Sequence, residues 1–504
     1  MSTKWTKEQK DAIFTRNCNL LVAAGAGAGK TAVLVERIIK RITDEKEDID
    51  IDRLLVVTFT NAAAAEMRER IGDAIAKELE TNPDSKKLQK QLTLLNQANI
   101  MTIHSFCLKV IKNNFHLIDL DPSFRVCDNT ESILLKQESL EELFEENYED
   151  SNNEIFLELV DAYGGKSDFG FQNMVISLYE FAKSSPWPEK WLMEMAERFN
   201  LEDEYNFGES DWASILLDYL KVEAYGCKSK MKKAIEIAEK AEGIDYYLEP
   251  FKNDLNNINE ICNCSSWDEF KEKFLLLSFE KLPIKKNKDA DKIAKERTKK
   301  IRDEVKKKLN DIKEDIFDGN DNIERNLKEL YPMMKCLVNL VISFDKKYGN
   351  KKRERGMVDF NDIEHFCLNI LTTEDDNGNI VPSEAALEYK QQFEEILIDE
   401  YQDSNEVQEV IMNMIGNKND IPNMFMVGDV KQSIYRFRQA KPELFLSKYN
   451  TYSEKAEDRN RKIKLFKNFR SRSEIISGVN YLFKQIMSVN VGELDYDEEE
   501  ALKS

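Results

Sequence analysis

The sequence predicts an α/β protein: a parallel β-sheet carrying a phosphate-binding loop, interrupted by a large α-helical insertion and followed by the start of a second α/β domain. Three observations carry that expectation. Short apolar runs alternate with helical stretches, and a glycine-rich turn joins the first run to the first helix. A long charged segment poor in β-branched runs separates two such regions.

Taken in order, residues 18–24 (CNLLVAA) read as a buried strand, and 31–42 (TAVLVERIIKRI) place apolar residues at helical spacing. The unit recurs as strand 53–59 (RLLVVTF) with helix 61–79, and as strand 99–103 (NIMTI) running into HSFCLKVIKNNF. Strands so continuously apolar, each followed by a helix, imply a parallel sheet covered on both faces. From 131 to 345 the texture is charged and helix-like (ESILLKQESLEELFEENY, KMKKAIEIAEKAEGI, DEVKKKLNDIKEDIF), without a fixed-period repeat. Strand texture returns at 394–403 (EEILIDEYQD) and 423–429 (NMFMVGD). A last pair, strand 462–466 (KIKLF) and helix 471–487, is read as the opening of a further domain. The expected divisions are 1–130 and 346–455 for one domain, 131–345 for the insertion, and 456–504 for the incomplete beginning of a second domain.

The chain has 504 residues, more than one ordinary domain, and its 41% apolar content is enough for real cores. No run of about 18 apolar residues occurs, so no membrane span is expected. The opening MSTKWTKEQK lacks the apolar core of a secretory signal and points to the cytoplasm. Eight scattered cysteines and three histidines assemble no four-ligand zinc set, and reduced thiols are expected. A net charge of −21 argues against indiscriminate binding to a polyanion but leaves room for a local basic groove. Acid is concentrated at 141–154 and 495–500, base at 285–308 and 346–355; the basic runs read as solvated helix faces.

Chemistry begins at LVAAGAGAGKT, residues 21–31. The strict phosphate-loop pattern G-x-x-x-x-G-K-[ST] has glycine where this chain has Ala24. A phosphate cradle needs converging backbone N–H groups and therefore positions without a blocking Cβ. Gly25, Gly27 and Gly29 provide them between Ala26 and Ala28, and Ala24 sits where the loop leaves the strand, clear of the phosphates. Lys30 is expected to reach the β- and γ-phosphates of ATP and Thr31 to hold Mg²⁺, while the G-x-G-x-G spacing followed by Lys-Thr disfavours a dinucleotide site. The other half of such a site needs acids at a strand end. ILIDEYQD supplies Asp399 for the metal and Glu400 to activate water.

DEYQD, together with VGDVKQSIYRFRQA (427–440) and FKNFRSRSEI (466–475), resembles the UvrD/Rep/RecB-type helicases of superfamily one, and within them the AddA-type subunits of bacterial helicase–nucleases. WTKEQKDAI (5–13), VVTFTNAAAAEMRERI (56–71), TIHSFC (102–107), SSPWPEKWL (184–192) and RERGMVDFNDIEHFCLNIL (353–371) extend the likeness along the whole chain. The resemblance implies RecA-like domains, ATP-driven 3′→5′ movement on DNA, a role in double-strand break processing and recombinational repair, and an AddB-like partner subunit. It assigns Gln9 to the adenine edge, Phe469 to stacking on adenine, and Gln432 and Arg470 to the γ-phosphate. It also implies a single-strand path over Phe59, Thr60, Asn61, Thr102, His104, Tyr435, Phe437 and Arg438, where aromatic platforms hold bases without reading them.

Three departures from the family pattern are visible. Ala32 replaces an arginine that commonly packs on adenine, phenylalanine stands at 469 where relatives usually have tyrosine, and Phe437 stands where tryptophan is common. Nothing after 487 matches the later helicase motifs or the nuclease domain, so weak hydrolysis by this chain alone is expected. Other readings stay open on the sequence: a catalytically deficient fragment that binds only nucleotide or a partner chain, a UvrD-like repair helicase, or a P-loop kinase.

Overall fold

Six strands assemble side by side, the first five because their side chains are mainly apolar toward both faces. They are β1 (Asn19–Ala24), β2 (Leu54–Thr58), β3 (Asn99–Thr102), β4 (Glu395–Ile398), β5 (Met424–Gly428) and β6 (Asn460–Leu465). The computed structural model describes residues 5–504 except 45–46, 48, 152, 166, 203–204, 286–289, 318–322 and 418–420. The first residues of the N-terminal stretch and parts of the acidic run 141–154 and the basic run 285–308 therefore lie outside the described residues.

The sheet order is β6-β1-β5-β4-β2-β3, and every neighbouring pair is parallel. Alternate residues feed two cores, as the two-residue period of a strand requires. Leu20, Val22, Val56, Leu397, Phe425 and Val427 pack with helices Lys30–Thr43 and Asn61–Thr81. Leu21, Ala23, Val57, Ile396, Ile398 and Met426 pack with Ile103–Asn114 and Phe360–Leu371 on the other face.

One strand departs from expectation. The run at 462–466 reads in sequence as part of a second domain, but β6 pairs in parallel with β1 along its whole length, Asn19 opposite Asn460 through Ala24 opposite Leu465. As an edge strand it is only partly buried, with an alternating pattern that does not reveal which sheet it joins.

The segment Arg125–Val126 pairs in parallel with Met357–Val358, so the chain leaves and re-enters at adjacent positions. Between them, the described residues form helices and no strand. Two compact units result, Met1–Met193 with Cys336–Ser504, and Glu194–Lys335. The second has its own core around Leu217, Met231, Phe251, Phe270 and Val305, and a buried pair in which Arg302 Nε donates to Asp254 Oδ2 at 2.6 Å. All eight cysteines are free thiols, and no helix among the described residues is long and apolar enough to cross a membrane.

The first unit is pinned at the lower end of β4 by a buried ion pair. Arg37 Nε donates to Glu395 Oε1 at 2.8 Å, its Nη1 donates to the Ala12 carbonyl at 2.7 Å, and its guanidinium lies 4.6 Å from the centre of the Phe425 ring. Removing one partner of such a pair strands the other charge in the interior. Glu395→Ala is therefore expected to cost about 3–5 kcal/mol in urea unfolding, and the Arg37→Met/Glu395→Leu double change much less.

Candidate functional site

The glycine-rich loop leaves β1 at Ala24 and enters helix Lys30–Thr43 through Gly29. Gly27 and Gly29 hold φ of 71° and 84°, the left-handed region where a side chain is strained. The loop carbonyls are drawn away from its hollow. Ala26 O accepts from Asn468 Nδ2 at 2.6 Å, Gly27 O from the Phe469 amide at 2.9 Å, and Ala28 O from Gln9 Nε2 at 3.1 Å. Among the described residues the amides of Ala26, Gly27 and Gly29 find no acceptor. Unpaired amide donors gathered before a helix N-terminus form a cradle for anionic oxygens.

Across from the loop stands the end of β4. Lys30 Nζ donates to Glu400 Oε2 at 2.7 Å, so residues 370 apart in sequence meet at one point. Glu400 sits in the left-handed region at φ 52°, unusual for a residue with a side chain and a sign that its surroundings fix it. Asp399 and Asp403 flank it, and the carboxyl of each is pushed up to about 6, first by burial and then by the Glu400 charge. Asp403 Oδ1 is buried without a partner.

Three acids facing one ammonium leave a deficit of positive charge. No group of three His, Cys, Asp or Glu side chains among the described residues could cage a metal alone. The oxygen donors gathered here, carboxylates beside the Thr31 hydroxyl, suit a hard cation such as Mg²⁺, which keeps water and phosphate oxygens and takes few protein ligands. Thr31 and Asp399 line the same cleft of about 390 Å³ as Phe59, Thr60, Glu400, Gln432 and Tyr435.

The remaining predicted residues fall into three places. Gln9 and Phe469 line a second cleft, of about 620 Å³, beside Ala28. Phe469 is exposed there, whereas Gln9 is buried and already engaged: its Oε1 accepts from the Thr6 amide at 3.0 Å in the capping box of helix Lys7–Phe14. Arg470 is exposed, its amide held by Asn468 Oδ1 at 2.8 Å, and its guanidinium forms no ion pair among the described residues.

The rings of Phe59 and Tyr435 lie 4.7 Å apart and those of Tyr435 and Phe437 5.9 Å apart, with Arg438 5.3 Å from the Tyr435 centre. Tyr435 is half-buried in this cluster and is no part of the core, while Phe437 is 74% exposed. Gln432 donates to Asp429 Oδ2 at 2.7 Å just before the rings. Thr60 caps helix Asn61–Thr81 by accepting from the Ala63 amide, with Asn61 exposed in its first turn.

Thr102 is buried as the cap of helix Ile103–Asn114, and its hydroxyl accepts from Ser105 N. His104 is drawn to other partners than the ring cluster: Glu364 Oε1 at 3.2 Å and the edge of Phe360, 5.4 Å between centres. Burial raises the Glu364 carboxyl, but hydrogen bonds from His104, Gln408 and Asn405 outweigh it and hold it below the usual range.

Four residues of the site carry no role that the sequence alone reveals: Gln402, Asp403, Asn468 and Phe360. All four lie inside recognisable motif segments, yet only a fold shows which neighbours a motif residue touches. Phe360 is 54% exposed beside His104, and exposure is not encoded in its local sequence.

Residues 5–453 match the UvrD/REP helicase N-terminal domain. Over all 504 residues the chain is 63% identical to the ATP-dependent helicase/nuclease subunit (AddA) of Clostridium kluyveri, and it is 59% identical over 530 positions to that of Clostridium botulinum. Each comparison covers 100% of this chain and 41% of the relative, so the chain spans about two fifths of the length of these curated proteins.

The raised Asp399 carboxyl has a signed consequence. A carboxyl raised by folding stabilises the protein below its unfolded value near 4, and that contribution is lost as pH rises through about 6. Asp399→Asn is expected to raise Tm at about pH 7.5 in metal-free buffer and to leave it unchanged near pH 4; scanning calorimetry at both pH values checks the sign.

Proposed function

The chain belongs to the UvrD/REP helicase family, and we propose that it is the motor portion of an ATP-dependent DNA helicase of the AddA helicase/nuclease type. The single observation that carries this reading is the Lys30–Glu400 contact at 2.7 Å, which joins the phosphate cradle to a carboxylate able to serve as a base. In this reading residues 1–130 and 346–455, with β6, form a RecA-like ATPase domain, and 131–345 are a helical insertion facing DNA. The remainder, 466–504, leads toward a second motor domain. Double-strand break processing, 3′→5′ direction and an AddB-like partner follow from the family likeness and are proposed on that footing.

The residues divide the work by position. The free amides of Ala26, Gly27 and Gly29 cradle the triphosphate, and Lys30 gives up Glu400 to pair with its tail. Thr31 and Asp399 would hold Mg²⁺, which when bound neutralises phosphate charge and polarises the bond to be broken. Glu400, freed of Lys30, accepts the proton of the attacking water. Phe469 offers a face to the adenine in the second cleft, with Gln9 behind it, and Gln432 and Arg470 sense the terminal phosphate. Phe59, Tyr435, Phe437 and Arg438 form a platform for bases, continuous with the nucleotide cleft through Phe59 and Tyr435. Thr60, Asn61, Thr102 and His104 continue the strand-end path beside it.

Two measurements test the reading. Single-turnover hydrolysis with protein in excess over Mg-ATP should fall by about 10²-fold or more in Glu400→Gln, while the affinity for a fluorescent ATP analogue is kept. Turnover unchanged in that variant removes Glu400 as the base. Phe437→Ala should weaken binding of oligo(dT) and mixed-sequence single strands alike, by about 1–3 kcal/mol in fluorescence anisotropy. An undiminished affinity would place the DNA elsewhere.

A further inference from the structure

Gln402 is almost fully buried, 1% exposed, and its carboxamide touches both halves of the site. Nε2 donates to Glu400 Oε2 at 3.0 Å and to Asp403 Oδ2 at 3.2 Å, while Oε1 accepts from the Asp429 amide at 2.9 Å. Asp429 in turn accepts from Gln432 Nε2 and pairs with Lys431 Nζ at 3.2 Å, and Lys431 reaches Glu500 Oε2 at 2.9 Å. A continuous chain of polar contacts therefore runs from Lys30 through Glu400, Gln402 and Asp429 to the turn that carries Gln432 and Tyr435.

A second observation fixes the same contact. Gly428 lies at the end of β5, and a Cβ there would stand 2.3 Å from Gln402 Oε1 and 3.2 Å from the Gln402 amide nitrogen. Its backbone is not left-handed, so conformation does not demand glycine; the space is occupied by the carboxamide.

Glu400 Oε2 has two donors, Lys30 and Gln402. A triphosphate arriving in the cradle competes for the ammonium of Lys30, whereas the neutral Gln402 carboxamide lies at the buried floor of the cleft and is already shared between Glu400 and Asp403. We propose that Gln402 is a positioning residue: it holds the Glu400 carboxylate when Lys30 turns to phosphate, and it transmits that exchange to the turn 429–438 and its ring cluster. This rests on the nucleotide reading above and adds to it the route by which the phosphate end reaches the aromatic platform.

The test is hydrogen exchange of the full chain over 428–438, with and without ATPγS and Mg²⁺, in the wild type, Gln402→Met and Gly428→Ala. Met removes all three carboxamide hydrogen bonds at similar volume, and Ala displaces the carboxamide with its chemistry intact, so one variant keeps the test alive if the other does not fold. The wild type should show nucleotide-dependent protection at the Asp429 amide and the turn after it. Both variants should lose that response while binding ATPγS within about two-fold of wild type, and single-turnover hydrolysis should drop about ten-fold, the scale on which an outer supporting group acts. The double variant should be no worse than either single, since both break one contact. A response that persists in both variants, or that is absent from a nucleotide-bound wild type, overturns the proposal. Failure of the wild type to bind Mg-ATPγS instead overturns the nucleotide reading on which it stands.

Discussion

The parallel sheet is the constraint on which the site depends. In a sheet whose strands all run one way, every carboxyl end lies on the same edge, and loops far apart in sequence open onto one crevice. Here the glycine loop follows β1, Phe59 follows β2, His104 follows β3, Asp399 and Glu400 follow β4, Gln432 and Tyr435 follow β5, and Phe469 follows β6. The 2.7 Å meeting of Lys30 with Glu400 is a result of that geometry: β1 and β4 are separated by a single strand, β5.

One helix secures the arrangement at both ends. Lys30 at its start holds Glu400 above β4, and Arg37 and Arg41 nearer its end hold Glu395 at the foot of the same strand. The lower pair is shut away from solvent and serves rigidity. The upper pair is partly open, so its ammonium can exchange partners, and the charge deficit around Asp399 and Asp403 leaves a place for a cation. Stability and reactivity are thus assigned to opposite ends of one strand.

The same edge sets the cleft at Thr31, Asp399 and Glu400 beside the ring cluster. The rings of Phe59 and Tyr435 meet although 376 positions separate them, because β2 and β5 both flank β4 and their loops emerge together. Gln402 lies beneath this junction with Gly428 making room for it, so the floor of the cleft is a packed polar layer in which a shift at one side is felt at the other. A group that is buried, fully engaged and tightly enclosed cannot move independently of its partners.

The amino-acid sequence determined the strands β1 to β5, the helices after them and the glycine loop, because apolar periodicity, glycine freedom and a lysine–threonine pair at a helix start are local properties. It also grouped Lys30, Thr31, Asp399 and Glu400, and the fold brings Lys30 to Glu400 and sets Thr31 and Asp399 in one cleft with Glu400. What only the tertiary structure decided was adjacency. It put β6 on the edge beside β1, turned His104 toward Glu364 and Phe360, brought the Gln9 carboxamide to the Ala28 carbonyl, and set Gln402 between two motifs. Those outcomes depend on distances across the sheet, and no spacing along the chain encodes which loop will lie next to which.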